Sequence, residues 1–155
     1  MSVSVHQKDH GFKKLQKSLE TLKDSSIRIG IQGPEATQMS DKGVTVVEYA
    51  TFHEFGLGVP RRSFLADWMT EQQAEIQQTV RAVVKSVTQG KYDPETGLER
   101  AGARFVGLVQ ARIATNIPPP LAASTVAAKG SSVALIDTGL LRSSITYVVK
   151  LGGEE

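Results

Sequence analysis

Residues 64–88 read Phe-Leu-Ala-Asp-Trp-Met-Thr-Glu-Gln-Gln-Ala-Glu-Ile-Gln-Gln-Thr-Val-Arg-Ala-Val-Val-Lys-Ser-Val-Thr, a run with neither glycine nor proline. Phe64, Leu65, Trp68, Met69, Ile76, Val80, Val83, Val84 and Val87 recur mostly at steps of three and four, so the stretch predicts one long helix, the longest of the chain, with an apolar face. Gly90 to Asp93 predicts a turn, and Pro94 suits the first turn of a following helix. Leu98, Ala101, Phe105, Leu108, Val109, Arg112 and Ile113 give that second helix its own stripe. Two such helices across a short turn predict a hairpin.

Upstream, Phe12, Leu15, Leu19 and Leu22 form one apolar stripe among Lys13, Lys14, Lys17, Glu20 and Lys23, predicting a helix of about 14 residues. Asp24-Ser25-Ser26 breaks the period, and Ile27, Ile29 and Ile31 alternate as a half-buried strand that stops at Gly33-Pro34. Residues 34–43 show neither period and predict a surface loop ordered by a partner; residues 1–9 predict a flexible terminus. Thr45 to Phe55 predicts a short helix with Val47, Ala50, Thr51 and Glu54 on one side, closed by Gly56.

Downstream, Ile117-Pro118-Pro119-Pro120 ends the hairpin, because proline lacks the amide donor and biases its predecessor toward extended geometry. Leu121 to Ala128 predicts a short helix, Gly130-Ser131-Ser132 a loop, and Ile145, Tyr147, Val149 and Leu151 a second strand. The sum is a single α+β domain over residues 1–155: a small, mainly antiparallel sheet, completed by further short strands, packed with long amphipathic helices that include the hairpin.

Composition narrows function. At 155 residues the chain buries roughly 70% of its unfolded surface, enough for a core without staples. The absence of cysteine excludes disulfides, zinc-thiolate sites and thiol nucleophiles and suits a reducing cytoplasm. No signal-peptide pattern and no membrane-length apolar run is present. Charge is uneven: six Lys/Arg against three Asp/Glu in residues 1–28, three against seven in 29–80, and nine against six in 81–155. Solvated faces with local ion pairs are the plain reading of this acidic centre; an acidic surface meeting a basic one on the next copy is the sharper one.

Motifs for chemistry are weak. Asp137-Thr138-Gly139 matches the aspartic-protease tripeptide, but it follows a helical hairpin rather than strands and leaves too little chain for that fold; Asp137 or Thr138 as a cap for Leu140-Leu141-Arg142 is the better reading. His53-Glu54 lacks a second histidine one turn on, and His6 and His10 lie in the terminus, so no metal site is predicted. Gly56-Leu57-Gly58 lacks the context of a dinucleotide loop, and no phosphate-loop lysine exists, so no cofactor and no small-molecule substrate are expected. Trp68, Phe64 and Phe105 sit on helical faces and predict core packing rather than a base-stacking platform.

Two stretches together carry a resemblance. Glu48-Tyr49-Ala50-Thr51-Phe52-His53-Glu54-Phe55-Gly56, running into Val59-Pro60-Arg61-Arg62-Ser63-Phe64-Leu65, is similar to an acidic-aromatic-glycine turn followed by Ile/Val-Pro-x-Arg-Pro-Phe-Leu. Ile117-Pro118-Pro119-Pro120-Leu121-Ala122, then Thr125, Lys129 and Leu135-Ile136-Asp137-Thr138-Gly139-Leu140-Leu141-Arg142-Ser143-Ser144-Ile145, is similar to a Pro-Pro-Leu, Thr-x-x-x-Lys and Pro-Leu-x-Asp-Thr-Gly-x-Leu-x-x-Ser-Ile series. Both resemble the tail-completion or head-tail-joining proteins of long-tailed bacteriophages, also labelled neck, minor tail or virion morphogenesis proteins. Ser63 and Ala134 stand where proline is usual and are expected to loosen two turns.

The resemblance implies a non-enzymatic virion protein, assembled in the host cytoplasm, that forms a homo-oligomeric ring, commonly a hexamer, between the tail tube or tail terminator and the head connector or adaptor, with DNA passing through. A tail terminator or head-proximal connector subunit is the alternative within that class, and a small nucleic-acid-binding protein the alternative outside it. Expected interface residues are Arg61, Arg62, Phe64, Pro118, Pro119, Leu121, Asp137 and Arg142. An internal tie from Arg62 to Glu54 or Glu48 is an equal reading for that arginine. Glu71 and Glu75 are candidates to face the DNA channel, where like charge keeps DNA from sticking.

Overall fold

Asp93 and Pro94 start the longest helix. Asp93 Oδ1 accepts the Thr96 N–H at 2.9 Å, and Pro94 occupies a position whose amide has no partner inside the helix. The computed structural model describes residues 11–39, 43–130, 132, 135 and 139–153. Helix α5 (Pro94–Ala114) buries Gly97, Ala101, Gly102, Phe105, Val109 and Ile113 along one side and forms the spine of the domain.

Its hairpin partner is not the single longest helix expected. Residues 64–88 divide at Gln72 (φ −100°, ψ 21°) into α3 (Ala66–Glu71) and α4 (Gln73–Thr88). Gln72 N–H bonds Trp68 O and Ile76 N–H bonds Gln72 O, so one helix closes and the next opens on this single residue. The polar run Thr70-Glu71-Gln72-Gln73 between Met69 and Ile76 marks the place. Helix α4 packs along α5 as the hairpin requires, and α1 (Phe12–Lys23) lies against both. The α1 stripe meets them only in part: Leu15 and Leu22 are half-buried, whereas Phe12 is 71% exposed and Leu19 is exposed as well.

Strands β1 (Ser26–Ile31) and β2 (Ile145–Lys150) pair antiparallel, from Ser26 opposite Lys150 to Ile31 opposite Ile145. Among the described residues the sheet has these two strands alone, and Leu151 lies beyond the second. The third strand that would cover the other edge of β1 is not supplied by them. One face of the sheet packs on α5, and closely: a Cβ built on Gly102 would clash with Tyr147 Cδ2. Tyr147 Oη donates to Glu99 one helical turn earlier, at 2.5 Å, and that bond pushes the phenol above its ordinary value.

The expected loop 34–43 is partly built. Gly33–Thr37 forms a 3-10 turn, Met39 bridges to Thr45, and Val46 N–H bonds Gln38 O, so both ends are held; residues 40–42 lie outside the described residues. Helix α2 (Val46–Phe55) begins in a capping box, with Thr45 and Glu48 each accepting from the other's amide, and ends at Gly56 in the left-handed region. Its buried face is Val46, Ala50, His53 and Glu54, displaced from the expected register, so that Val47 is exposed. After the Pro118–Pro119 peptide, which is cis, come α6 (Ala123–Lys129) and α7 (Leu140–Ser143). The core gathers Phe64, Trp68, Phe105, Val109, Ile113, Leu135, Leu141 and Ile145. Trp68 meets Phe105 edge to face at 6.1 Å, as core packing predicts.

Two glycines of α5 separate packing from propensity. Gly102→Ala drives a methyl into Tyr147 and should cost about 1–2 kcal/mol net, overpacking outweighing the gain in helix propensity. Gly107→Ala, where nothing lies within 4 Å, should instead stabilise by roughly 0.5–1 kcal/mol. Urea unfolding of both variants, followed by circular dichroism, checks the opposite signs.

Candidate functional site

The last turn of α2 organises the corner that carries the first quoted motif. Gly56 turns the chain back so tightly that a Cβ there would stand 2.9 Å from Arg61 Cβ, and Arg62 N–H then bonds His53 O at 2.7 Å. This return brings residues 63–67 over the Glu54 carboxylate. Glu54 accepts the Ser63 hydroxyl at 2.6 Å and the backbone N–H groups of Phe64, Leu65 and Ala66 at 2.9, 3.2 and 2.8 Å. Ser63 Oγ accepts the next amide, Asp67 N–H, at 3.0 Å. Two buried side chains therefore satisfy four successive amides, those of Phe64 and Leu65 leading into α3 and of Ala66 and Asp67 opening it, a job normally done by one N-cap residue and water. Ser63 does not loosen the turn, as its departure from the family pattern had implied; it is almost fully buried and bonded on both sides.

Arg62 joins this corner to the second motif. Its Nε and Nη2 both donate to Pro119 O, at 2.9 and 2.7 Å, and the side chain is only 3% exposed. The expected tie to Glu54 or Glu48 is absent, since Glu54 caps α3 and Glu48 closes the capping box of α2. Arg62 and Phe64 are internal to the domain and are withdrawn as contact residues: a buried strut and a core ring have nothing to offer a neighbouring surface. Pro118 and Pro119 are exposed, Leu121 half-buried, and Arg142 exposed on α7. Asp137 and its capping role, like Ala134, His6 and His10, lie outside the described residues.

The acidic centre is spent inside the chain. Arg61 grips Asp67 with two bonds of 3.0 and 2.6 Å, Arg112 on α5 pairs with Glu71 at the end of α3, and Arg104 pairs with Glu75 on α4. These exposed pairs each contribute little to stability, but they set the charge of Glu71 and Glu75 against a neighbouring guanidinium. Local pairing, the plain reading of the charge pattern, accounts for them, and a repulsive channel lining built on those two residues loses its free charge. Among the described residues no three His, Asp or Glu side chains gather as metal ligands.

What the sequence reading missed is apolar. A cleft of roughly 390 Å³ runs between β1, α2 and α3, lined by Ile29, Ile31, Val47, Phe55, Trp68 and Met69 among others. Phe55 is 67% exposed, Met69 52% and Val47 39%, which together make an unusual apolar opening for a surface. The alternating isoleucines of β1 were the available signal, but only the observed register of α2 turns Val47 and Phe55 outward beside them. Comparison with models of known protein families, with curated proteins and with solved structures finds no match for this chain.

Glu54→Gln replaces one acceptor oxygen by an amide that faces N–H donors, so it should destabilise by about 2–3 kcal/mol, against about 1–2 kcal/mol for Ser63→Ala. Chemical denaturation of each variant reads the order. A second expectation concerns acid. The Thr45 hydroxyl holds Glu48 below its ordinary 4.5, and the Arg61 guanidinium and the Thr96 amide hold Asp67 and Asp93 below 3.8. Each folded value is depressed, so the stabilisation is complete above the unfolded-state values and is lost as pH falls through the lower folded ones. Thermal midpoints should drop steadily from about pH 5 to about pH 2, and Glu48→Gln/Asp67→Asn/Asp93→Asn should flatten that slope.

Proposed function

We propose that this chain is a structural, non-catalytic subunit of a tailed-bacteriophage virion that works as one copy in a ring at the head–tail joint. The observation that carries the reading is the pair of Arg62 bonds to Pro119 O. The two stretches that resemble the tail-completion family stand far apart in the chain, and this buried arginine makes them one structural corner. A chance likeness of two separate motifs gives no reason for such a link; a motif whose halves cooperate in folding does.

The arrangement suits ring building. A rigid corner presents Pro118 and Pro119 at the surface at little further cost in chain entropy, because proline has already surrendered most of its freedom. Arg142 on α7 and the apolar cleft beside β1 offer two further surfaces of different chemistry, as a heterologous, closing interface needs. In a closed ring modest contacts repeat at every boundary and hold together what one boundary would not. A sixfold ring between the tail tube and the head connector is what the resemblance implies, with the tail-terminator position as the neighbouring alternative.

Electron microscopy of particles made with an early stop codon in the gene tests the reading. DNA-filled heads beside unjoined or abnormally ended tails are expected; normal joined particles would remove the neck assignment. In parallel, the purified protein should not bind duplex DNA in a salt-dependent manner, and steep loss of binding with added salt would favour a nucleic-acid-binding role instead.

A further inference from the structure

The cleft between β1, α2 and α3 is lined by Ile29 and Ile31 of a strand that has one edge no described strand covers. A two-stranded sheet with an open edge next to an apolar groove is the geometry that accepts an added strand: main-chain bonds along the edge supply affinity, and alternate side chains enter the groove. β1 is six residues long, so an extended segment of about four residues, roughly 14 Å, would pair with most of it.

The chain itself carries one such segment outside the described residues. Ser2-Val3-Ser4-Val5 alternates polar and apolar, as a strand with one apolar face must. Its attachment decides whose groove it can reach. Gly11 lines a surface depression together with Val87, Gly90 and Asp93, at the turn of the helical hairpin. β1 begins beside Val80 and Val84 and continues to Trp68 and Met69, beyond the opposite end of α4. A helix of 16 residues puts about 24 Å between those ends. The six residues from Val5 to Gly11 span at most about 22 Å when fully extended. Val5 therefore falls short of the Trp68 and Met69 wall of its own subunit.

We propose that residues 2–5 of one copy add, in a second copy, as a strand to the edge of β1 that no described strand covers, with Val3 and Val5 entering the cleft walled by Val47, Phe55 and Met69. The occupant is thus another copy of this chain, joined head to tail, a heterologous contact that closes into a ring if the rotation allows. Self-association of this kind stands apart from the head–tail role: rings can close through other surfaces, so its failure would leave that role untouched.

Sedimentation velocity on three full-length proteins gives the test. The natural chain should assemble as its concentration rises to about 100 µM. Val3→Asp/Val5→Asp and, separately, Met69→Lys should each weaken assembly by at least roughly tenfold while keeping the circular-dichroism spectrum and melting temperature of the folded chain. Mixing these two defective proteins should then restore a 1:1 complex, because one retains an intact groove and the other an intact strand. A natural chain that stays monomeric, an aspartate variant that still assembles, or a mixture that forms no complex would each overturn the proposal. Should Met69→Lys fail to fold, Phe55→Lys, at a more exposed position on the same wall, takes its place.

Discussion

A carboxylate that would be costly to bury alone is what the rest of this domain is arranged around. Glu54 sits on a helix end, within the core, and is held by one hydroxyl and three amides. Removing such a charge from water costs several kcal/mol unless its lone pairs are filled, and here the start of α3 fills them while having its own orphan donors satisfied. Each need answers the other. The direction of α3, and through it the place of Trp68 against Phe105, follows from where that carboxylate lies. So does the position of Arg62, whose amide bonds the α2 terminus while its side chain reaches Pro119.

The fold was largely written in local pattern. The hairpin, the capped α2 with its glycine stop, the proline-started α5 and the two alternating strands could all be read from spacing and punctuation, since each rests on interactions among near neighbours. The division at Gln72 and the register of α2 escaped, because both are set by what the helices pack against; periodicity says that a face exists, and only contact says which residues form it. A third strand is not found among the described residues, and the expectation of further short strands had no particular residues behind it.

The candidate site was legible in outline and misread in detail. Residues 48–65 and 117–121 do form one corner, yet Phe64 is a core ring rather than a contact, and Arg62, for which contact and internal tie read equally, ties to Pro119 rather than to Glu54 or Glu48. Nothing in a single sequence distinguishes an arginine that faces a neighbour from one that braces a carbonyl 57 residues away. Ser63 was undervalued for a similar reason, since a hydroxyl that both donates and accepts gains its meaning from partners brought by the fold. The acidic centre repeats the lesson: its charges are matched by Arg104 and Arg112, which lie in a segment counted as basic.

The pairing of β1 with β2 has a bearing on synthesis. The helices depend on near neighbours and can begin to form as the chain emerges, but Ile31 waits for Ile145 and Ser26 for Lys150, so the sheet closes a loop spanning most of the polypeptide. Until residue 150 has been made, the Gly102 face of α5 has no Tyr147 to cover it and β1 lacks the one strand that pairs with it among the described residues. A nascent chain therefore lacks both the paired sheet and the cover of that helix face. Translation order itself sets the time of closure, which comes only once residue 150 has been made.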